Sequence, residues 1–319
     1  MRSRRTWLSA ALPLLCTVAV VGCGSSSSSS SSAATSSAAA TSSAAGTSTA
    51  SSSAAAGGAN AAVAALVPAA IKSKGTLTVA ADASYAPNEF IGPNGHTVVG
   101  MDADLSKALA AEMGLKVNVV NQTFDSIIPG LASGKYDMGA SSFTDTKERE
   151  KTVDFVDYFE AGTSFFTKAS GGTSVAGLAG LCGKTVSVEK GTTEQTDAGT
   201  QSGKCKKEGK PTVNVLAFPD QNGANLALSS GRAQISMADS PVAAYQVKKS
   251  NGQFKITGQT YGTAPYGLAL PKNSGLAPAV LAALKALMAN GSYSKILVHW
   301  GVANGAIPAS QVKINGATS

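Results

Sequence analysis

The sequence predicts an α/β fold in which two units of alternating strands and helices follow one another along the chain. Short apolar runs of strand length recur between residues 76 and 140 and again after residue 180, separated by segments with a helical spacing of apolar residues. Such alternation indicates mainly parallel sheets flanked by helices. With 43% apolar and 14% charged residues, the chain is also too hydrophobic for wholesale disorder.

The first 22 residues predict a secretory signal peptide. Arginines near the start precede an apolar stretch over residues 7–21, which is shorter than the ~20 residues that a bilayer-spanning helix needs. The ending VVGC at residues 20–23 resembles the lipobox of bacterial lipoproteins, in which the signal is cut before the cysteine and the cysteine is acylated. Cys23 is therefore the predicted lipid attachment residue, and an ordinary secreted protein with an incidental cysteine is the alternative. Residues 3–8 (SRRTWL) also look like a twin-arginine signal, so both export routes stay open.

The next segment predicts a flexible tether, which we extend over residues 23–65. Residues 24–59 contain only Ser, Ala, Thr and Gly, so they have no large apolar side chain whose burial could offset the entropy of ordering. A chain of this kind has a root-mean-square reach of about 30–36 Å. We therefore expect an exported protein anchored by lipid to the outer face of the cytoplasmic membrane, and a stalk that acts only as a spacer fits equally well.

The first folded unit begins after the tether. Its predicted elements alternate along the chain: a strand over residues 76–81, a helix over 102–113, a strand over 115–120, a short helix bearing Ile127, Ile128 and Leu131, and a strand over 136–140. Gly114 follows the first of these helices at the place where glycine ends a helix.

The second unit repeats this pattern. Strands are predicted over residues 184–188, 213–218 and 234–238, with helices starting at Glu194 and covering 222–229. The tail predicts two helices, over residues 276–290 and 292–300, with apolar residues on one face. Because such a face needs a sheet to cover, we expect the tail to return to the first unit.

Charge and cysteine usage exclude several classes of function. The formal charge of +7 falls to +4 once the three arginines of the signal are removed, and so small and dispersed an excess does not fit a nucleic-acid-binding protein. In an oxidising compartment the remaining pair, Cys182 and Cys205, predicts a disulfide. Two cysteines and two histidines do not supply a recognised metal cluster, and no phosphate-binding or dinucleotide loop is present, so no cofactor is expected.

Polar clusters follow four of the predicted strands, at residues 82–85, 141–144, 191–193 and 239–240. Ligands of open α/β sheets bind beyond the carboxyl ends of the strands, so two facing sheets would form one cleft lined by all four clusters. The group includes Asp82, Ser141 and Thr192.

The chemistry of these clusters points to an α-amino acid as ligand. Arg149 offers a planar fork for a carboxylate, Thr193 lies where backbone N–H groups open a helix, and Asp239 can take an ammonium group. Each also has a purely structural alternative. Arg149, between Glu148 and Glu150, could form a surface ion pair, Asp239 could cap a helix, and residues 191–193 could be a plain turn.

Several segments together resemble the family 3 extracellular solute-binding proteins of bacterial ABC importers, in the polar amino acid group. They are TLTVAADASYAP, GMDADLSKALAAEMGLKV, FDSIIPGLASGKYDM, SSFTDTKEREKTVDF, GKTVSVEKGTTEQ, and the late YGLALPKN and NGSYSKIL. The resemblance implies a two-lobed, periplasmic-binding-protein-like clamshell of type II, with lobe one over residues 66–164 and 267–319 and lobe two over 165–266. It also implies a non-enzymatic, monomeric protein that delivers a free amino acid to an ABC permease of the cytoplasmic membrane.

The resemblance also implies a role for each ligand-binding position. Arg149 would grip the ligand carboxylate with Thr144 and Thr193, and Asp239 and the carbonyl of Ser142 would hold its ammonium group. Beside them, the ligand would lie between Tyr85 and Phe124, with Asp82 near its side chain and Glu189 facing that side chain. The family often has an aromatic residue where Asn88 stands, and it usually has Phe where Met101 stands. The resemblance therefore does not decide whether Asn88 forms part of the pocket wall.

The two carboxylates at the side-chain end predict selectivity. With no Lys or Arg to balance Asp82 and Glu189, a closing cleft would favour a cationic or amide-donor side chain, as in arginine, lysine, histidine or glutamine. The alternative is a neutral pocket, with Asp82 bound by backbone N–H groups and Glu189 in solvent. Other functions to weigh are a ligand-binding sensor and a clamshell enzyme such as a dehydratase.

Overall fold

The computed structural model describes residues 59–318. The predicted signal peptide, the lipid attachment residue Cys23 and most of the predicted tether lie outside this range. Within it the first elements are helices α1 (Ala61–Leu66) and α2 (Ala69–Lys74), strands β1 (Thr76–Ala81), β2 (Ser84–Tyr85), β3 (Glu89–Ile91) and β4 (Val98–Val99), helix α3 (Met101–Glu112), strand β5 (Lys116–Asn121), helix α4 (Phe124–Ala132) and strand β6 (Met138–Gly139).

The chain then runs through two long strands and the second unit. The elements are strands β7 (Val153–Lys168) and β8 (Thr185–Glu189), helix α5 (Thr193–Lys207), strand β9 (Asn214–Phe218), helix α6 (Gln221–Ser229), strand β10 (Ile235–Asp239), helix α7 (Ser240–Lys249), strand β11 (Phe254–Pro271), and helices α8 (Ala277–Ala289) and α9 (Ser292–Trp300). None of the helices within residues 59–318 is both long and apolar enough to cross a membrane.

Eight of the strands described form one mixed sheet, in the order β5-β1-β6-β11-β7-β10-β8-β9. The pairs on either side, β1 with β5 and β6, and β8 with β9 and β10, are parallel. In the middle, β7 and β11 pair antiparallel with each other and link the two parallel groups. We call the β1, β5 and β6 side the first lobe and the β8, β9 and β10 side the second lobe. The predicted fold of two α/β lobes with mainly parallel strands is thus confirmed.

Each lobe has its own apolar core. In the first lobe, α3, α8 and α9 pack on the sheet through buried residues such as Leu105, Leu284 and Leu297. In the second lobe, Val186 and Met237 of the sheet pack with Cys205 of α5. The tail helices therefore return to the first lobe, as their apolar faces predicted.

The start of the fold lies slightly earlier than the sequence indicated. Asn60 caps α1, since its side-chain oxygen accepts hydrogen bonds from the backbone N–H groups of Ala62 and Val63, at 3.2 and 3.4 Å. Val63 is buried in the first-lobe core. The predicted tether boundary at residue 65 therefore lies inside a helix that packs on the folded body.

The predicted disulfide joins Cys182 to Cys205, with Cα atoms 5.7 Å apart. It connects the turn before β8 to the last part of α5, so it fastens that helix to the second-lobe sheet.

Candidate functional site

The polar segments that follow the strands converge on one cleft between the lobes. All eleven candidate ligand-binding residues line it, and one further residue joins them: Asp82, Tyr85, Phe124, Ser141, Ser142, Thr144, Arg149, Glu189, Thr192, Thr193 and Asp239, with Glu194 in addition. Because β1, β6, β8 and β10 each end at this cleft, the sheet topology brings together residues that lie up to 157 positions apart, from Asp82 to Asp239.

Arg149 spans the cleft with both ends of its guanidinium fork. Its Nη1 donates to the carbonyl of Thr144 in the first lobe at 2.8 Å, and its Nη2 donates to the carbonyl of Gly191 in the second lobe at 3.0 Å. Its guanidinium also lies over the ring of Phe124, 5.3 Å from the centroid. Burial lowers the pKa of Arg149 below its usual value.

The surface ion-pair alternative for Arg149 does not match this arrangement. Its neighbours Glu148 and Glu150 pair instead with Lys151 and Lys147. The arginine is thus left facing backbone carbonyls and aromatic rings inside the cleft, where a ligand carboxylate could replace the carbonyls.

Asp239 faces the first lobe rather than its own helix. It precedes α7, yet its side chain makes no capping hydrogen bond there. Instead, the hydroxyl of Tyr85 donates to Oδ2 of Asp239 at 3.0 Å and accepts from the backbone N–H of Asp239 at 2.9 Å. The helix-cap alternative is therefore wrong for this side chain. Burial and the nearby Glu194 raise the pKa of Asp239 well above its usual value.

The two carboxylates expected at the ligand side chain differ from each other. Asp82 accepts backbone N–H hydrogen bonds from Ser84 at 3.1 Å and Phe124 at 2.9 Å, as the neutral-pocket alternative predicted. The neutral-pocket alternative also placed Glu189 in solvent, and this part is wrong because Glu189 is only 2% exposed. Oε1 of Glu189 is buried and has no hydrogen-bond partner among the described residues.

Burial raises the pKa of both carboxyl groups at this end. The pKa of Glu189 lies well above its usual value because of burial and the neighbouring Asp82 carboxylate. Burial also raises the pKa of Asp82, although its hydrogen bonds to Ser84 and Phe124 oppose the shift. A cation placed between the two side chains would relieve this repulsion.

The two threonines after β8 have different tasks. Thr192 caps α5, because its hydroxyl oxygen accepts from the backbone N–H of Gln195 at 3.2 Å while its O–H donates to the carbonyl of Glu189 at 2.8 Å. It thereby orients the segment that carries Glu189. Thr193 begins the helix, where its backbone N–H lies among the unpaired donors of the first turn.

Glu194 is the cleft residue that sequence reasoning did not single out. It is 2% exposed, and its Oε1 accepts a hydrogen bond from the hydroxyl of Thr163 at 2.8 Å. An acidic residue in the first turn of a helix is normally explained by its favourable interaction with the helix dipole. For that reason the sequence alone did not indicate that Glu194 lies in the cleft. Its position directly after Thr193, a candidate ligand-binding residue, is the feature of the sequence that could have indicated its place in the cleft.

Asn88, the position left open, does not form the pocket wall. It is fully buried, and its amide donates to the hydroxyl of Ser142 at 2.9 Å. Met101 is also fully buried, in the first-lobe core. Both departures from the family pattern therefore lie behind the cleft.

The space inside the cleft is about 10 Å³, which is room for roughly one water molecule. Contacts that join the lobes surround it, including those of Tyr85 and Arg149 described above. Another is a salt bridge between Asp125 and Lys190, 2.8 Å long, at the rim. An amino acid can therefore enter only when the lobes move apart.

Residues 59–318 contain no group of three or more His, Cys, Asp or Glu side chains arranged to hold a metal ion. What the cleft offers is one guanidinium, several carboxyl groups, hydroxyls and two flanking aromatic rings. Together, the two-lobed α/β fold and this interlobe cleft define a solute-binding protein.

Comparisons with known proteins agree with that class. Residues 77–303 match the bacterial extracellular solute-binding proteins, family 3. The chain belongs to this family, whose members are extracellular, so the protein is exported.

Individual relatives are similar over most of the chain. The arginine-binding protein ArgT of Corynebacterium glutamicum is 36% identical over 244 residues, covering 76% of this chain and 80% of that protein. The ABC transporter arginine-binding protein 1 of Escherichia coli strain K12 is 33% identical over 225 residues, covering 68% and 87%. An ancestral arginine-binding protein solved with arginine has 39% identity and a TM-score of 0.65, and covers 71% of this chain and 98% of that one. An ancestral arginine-binding protein solved with glutamine has 38% identity and a TM-score of 0.66, and covers 72% of this chain and 98% of that one.

Proposed function

We propose that the protein is the substrate-binding component of an amino acid ABC importer and that its ligand is a cationic amino acid, arginine. The observation that carries this proposal is the charge of the cleft. Four carboxyl side chains, those of Asp82, Glu189, Glu194 and Asp239, line it against the single guanidinium of Arg149. Such an excess of acid is costly to enclose unless the ligand brings positive charge.

The α-amino acid part of the ligand is held by groups from both lobes. Arg149 grips the carboxylate, helped by Thr144 and by the hydroxyl and N–H of Thr193. Asp239 and the Ser142 carbonyl hold the ammonium group. In the closed cleft, Arg149 donates to two carbonyl oxygens and Asp239 accepts from Tyr85. The ligand carboxylate and ammonium group would take the place of these partners.

The ligand side chain extends between Tyr85 and Phe124 toward Asp82 and Glu189. A guanidinium has five N–H donors in a planar fork, which suits two neighbouring carboxyl groups, and it stacks well on aromatic rings. The buried Oε1 of Glu189, which has no partner among the described residues, would gain one. The names of the relatives reported above support arginine as the ligand.

Glutamine is the second candidate. Its amide donates hydrogen bonds without adding charge, and the ancestral arginine-binding protein has also been solved with glutamine. Burial and the neighbouring Asp82 carboxylate raise the pKa of Glu189, and a neutral amide would donate to these carboxyl groups without adding charge to the cleft. No observation in the cleft favours a sensor or an enzyme over a binding protein.

Calorimetric titration with arginine, lysine, glutamine and glutamate tests the proposal. We expect arginine to bind tightest and glutamate weakest, by about tenfold or more, since a like charge within a few ångströms costs more than ~1.4 kcal/mol at low effective dielectric. Tightest binding of glutamate would overturn the acidic-cleft argument.

A Glu189→Gln variant separates arginine from glutamine. It should weaken arginine binding and leave glutamine binding nearly unchanged, because only the cationic ligand needs the charge at this position. Glu208→Gln is the matched control, since Glu208 is exposed and pairs with Lys210 away from the cleft. Equal losses for both ligands would contradict the assigned role of Glu189.

The delivery system completes the proposal. The chain is anchored through lipid on Cys23, and its lobes are divided at residues 164 and 267. The monomeric protein then presents its bound amino acid to a permease in the cytoplasmic membrane. A Cys23→Ser variant should appear in the culture medium instead of the membrane fraction, and retention in the membrane would contradict the anchor.

A further inference from the structure

A network of buried polar groups lies directly behind the loop that carries Ser141 and Ser142. Glu89 on β3 is fully buried, and both of its carboxyl oxygens face this loop. The hydroxyl of Ser141 donates to Oε1 of Glu89 at 3.2 Å, and the hydroxyl of Ser142 donates to Oε2 at 3.3 Å. One carboxyl group therefore holds two consecutive residues of the cleft wall.

Asp102, in the first turn of α3, holds the same loop from the other side. It is also fully buried. The backbone N–H of Ser142 donates to Oδ2 of Asp102 at 2.8 Å, and the hydroxyl of Tyr158 donates to Oδ1 at 2.7 Å. Asp102 is thus fixed by β7 and in turn fixes the backbone of Ser142.

Gly100 brings the two acidic residues together. It has φ +126°, and a Cβ at this position would lie 2.2 Å from the carbonyl oxygen of Asn88. The close approach lets the backbone N–H of Asp102 donate to that carbonyl at 2.9 Å, so the start of α3 lies against β3. Any larger residue at position 100 would separate Glu89 from Asp102.

Ser142 has an unusual backbone conformation that needs this support. Its φ is +51°, in the left-handed region that costs a non-glycine residue free energy and persists only when surrounding contacts enforce it. Its N–H is bound by Asp102, and its hydroxyl is bound by Glu89 and Asn88. The carbonyl oxygen is the remaining polar atom of the residue.

Neither acidic residue has a basic partner nearby. None of the salt bridges formed within residues 59–318 involves Glu89 or Asp102. Burial and the adjacent Asp102 carboxylate raise the pKa of Glu89 well above its usual value. The contacts that hold the pair in place are hydrogen bonds from the loop and from Tyr158.

We propose that Glu89 and Asp102 are positioning residues for the ligand ammonium group: they hold Ser142 in its left-handed conformation so that its carbonyl oxygen faces the ammonium. This inference rests on the proposed amino acid ligand and extends it to residues that do not line the cleft.

The test compares two ligands that differ only at the ammonium group. Arginine and 5-guanidinopentanoate share the carboxylate and the guanidinium, but the second lacks the ammonium. In an Asp102→Asn variant, arginine affinity should fall by about tenfold or more, while affinity for 5-guanidinopentanoate should fall by less than about threefold. Asp104→Asn is the matched control, because Asp104 is on the same helix but bonds outward to Lys107 and Trp300. Equal losses for both ligands would overturn the positioning role.

Hydrogen exchange of the Ser142 amide gives a readout that needs no ligand. In the parent protein this N–H should be protected by Asp102, and in Asp102→Asn it should exchange faster. If Asp102→Asn does not fold, a Tyr158→Phe variant replaces it. This variant removes only the hydroxyl that orients Asp102, so the Ser142 amide should exchange faster than in the parent by a smaller factor. Unchanged exchange in a folded variant would overturn the inference. Failure of the parent protein to bind arginine would instead overturn the proposed function, with the exchange result still showing whether Asp102 holds the loop.

Discussion

Arg149 is the residue on which both the binding and the closing of the cleft depend. Its two outer nitrogens donate to carbonyl oxygens in different lobes, Thr144 on one side and Gly191 on the other. A ligand carboxylate offers the same fork two oxygens that carry charge, so exchange of carbonyls for carboxylate strengthens both hydrogen bonds. The planar shape of the guanidinium, as well as its charge, makes this possible.

An Arg149→Lys variant separates charge from shape. Lysine keeps the positive charge and loses the bidentate geometry, so amino acid affinity should fall by about tenfold or more, the cost of one lost charge-assisted hydrogen bond. Calorimetric titration measures this fall, and thermal unfolding checks that the fold is intact. Arg232→Lys serves as control, because Arg232 lies over Phe218 and does not line the cleft. Binding within about threefold of the parent protein would make the carboxylate assignment wrong.

A second residue-scale feature is the pair Asp145 and Asp157, away from the ligand. Both are buried, and Asp145 has no hydrogen-bond donor on either carboxyl oxygen among the described residues. Burial and the adjacent Asp145 carboxylate raise the pKa of Asp157 from 3.8 to about 8. At neutral pH the folded protein therefore retains a proton that the unfolded chain releases.

This pair predicts a loss of stability at high pH. Below pH ~4 both folded and unfolded states hold the proton; between pH ~4 and ~8 only the folded state does, so the free energy of unfolding falls as pH rises through this window. The melting temperature should thus decline less between pH 5 and 9 in Asp157→Asn than in the parent protein. Asp104→Asn should decline like the parent, because Asp104 is only half-buried and pairs with Lys107 instead of a second carboxyl group. Parallel declines in Asp157→Asn and the parent would refute this role for the pair.

At the scale of elements, local patterns predicted some parts of the fold and missed others. The strand at Thr76–Ala81 and the helix at Ser292–Trp300 have the predicted bounds, because a short apolar run and a helical apolar face are visible within the segment itself. The long strands β7 and β11 were not predicted. Their paired residues lie 86 to 118 positions apart in the chain, from Lys168 with Phe254 to Val153 with Pro271. β11 also contains Gly258, Gly262 and Pro265, which normally indicate turns. Register shifts in the pairing accommodate them.

Part of the candidate site could also be predicted, because the positions of polar residues at the ends of strands are visible in the sequence. In parallel α/β units, polar residues at strand ends meet at one edge, so residues such as Asp82 and Asp239 were found from their positions after strands. Glu194 was missed because the first turn of a helix gives an acidic residue a simpler explanation. The network of Glu89 and Asp102 was missed because a contact between a strand residue and a helix residue depends on the close approach at Gly100.

The disulfide is the element-scale feature with the clearest effect on stability. Cys182 and Cys205 lie 23 positions apart, and closing a loop of that size stabilises the folded state by about 3 kcal/mol in the chain-entropy model. Replacing both cysteines by serine should lower the free energy of unfolding in guanidinium by about this amount. Amino acid binding should persist, since neither cysteine lines the cleft. An unchanged unfolding midpoint would show that the crosslink does not constrain the unfolded chain.

At the scale of the whole molecule, β7 and β11 are the structural link between the lobes. They lie side by side in the middle of the mixed sheet, where β11 pairs with β6 of the first lobe and β7 pairs with β10 of the second. Bending of these two strands can therefore move one lobe relative to the other. The contacts that hold the cleft shut include polar ones, such as those between Tyr85 and Asp239 and between Asp125 and Lys190. Tyr85 also packs on apolar residues of the second lobe such as Leu228 and Val242. The salt bridge between Asp125 and Lys190 is largely exposed at the rim, so it contributes little net free energy to the closed state.

A ligand changes this balance by binding both lobes at once. Arg149 lies in the first lobe and Asp239 in the second, and only a closed cleft satisfies the carboxylate and the ammonium group of one amino acid together. The ligand therefore favours the closed state by the contacts that it makes only there.

Small-angle scattering with and without saturating arginine tests this claim most directly. The radius of gyration of the purified protein should be smaller with arginine than without it, and Arg149→Lys should need more arginine to reach the same value. A radius that stays unchanged at saturation, with binding verified by calorimetry in the same sample, would contradict capture of the amino acid by closure of the two lobes.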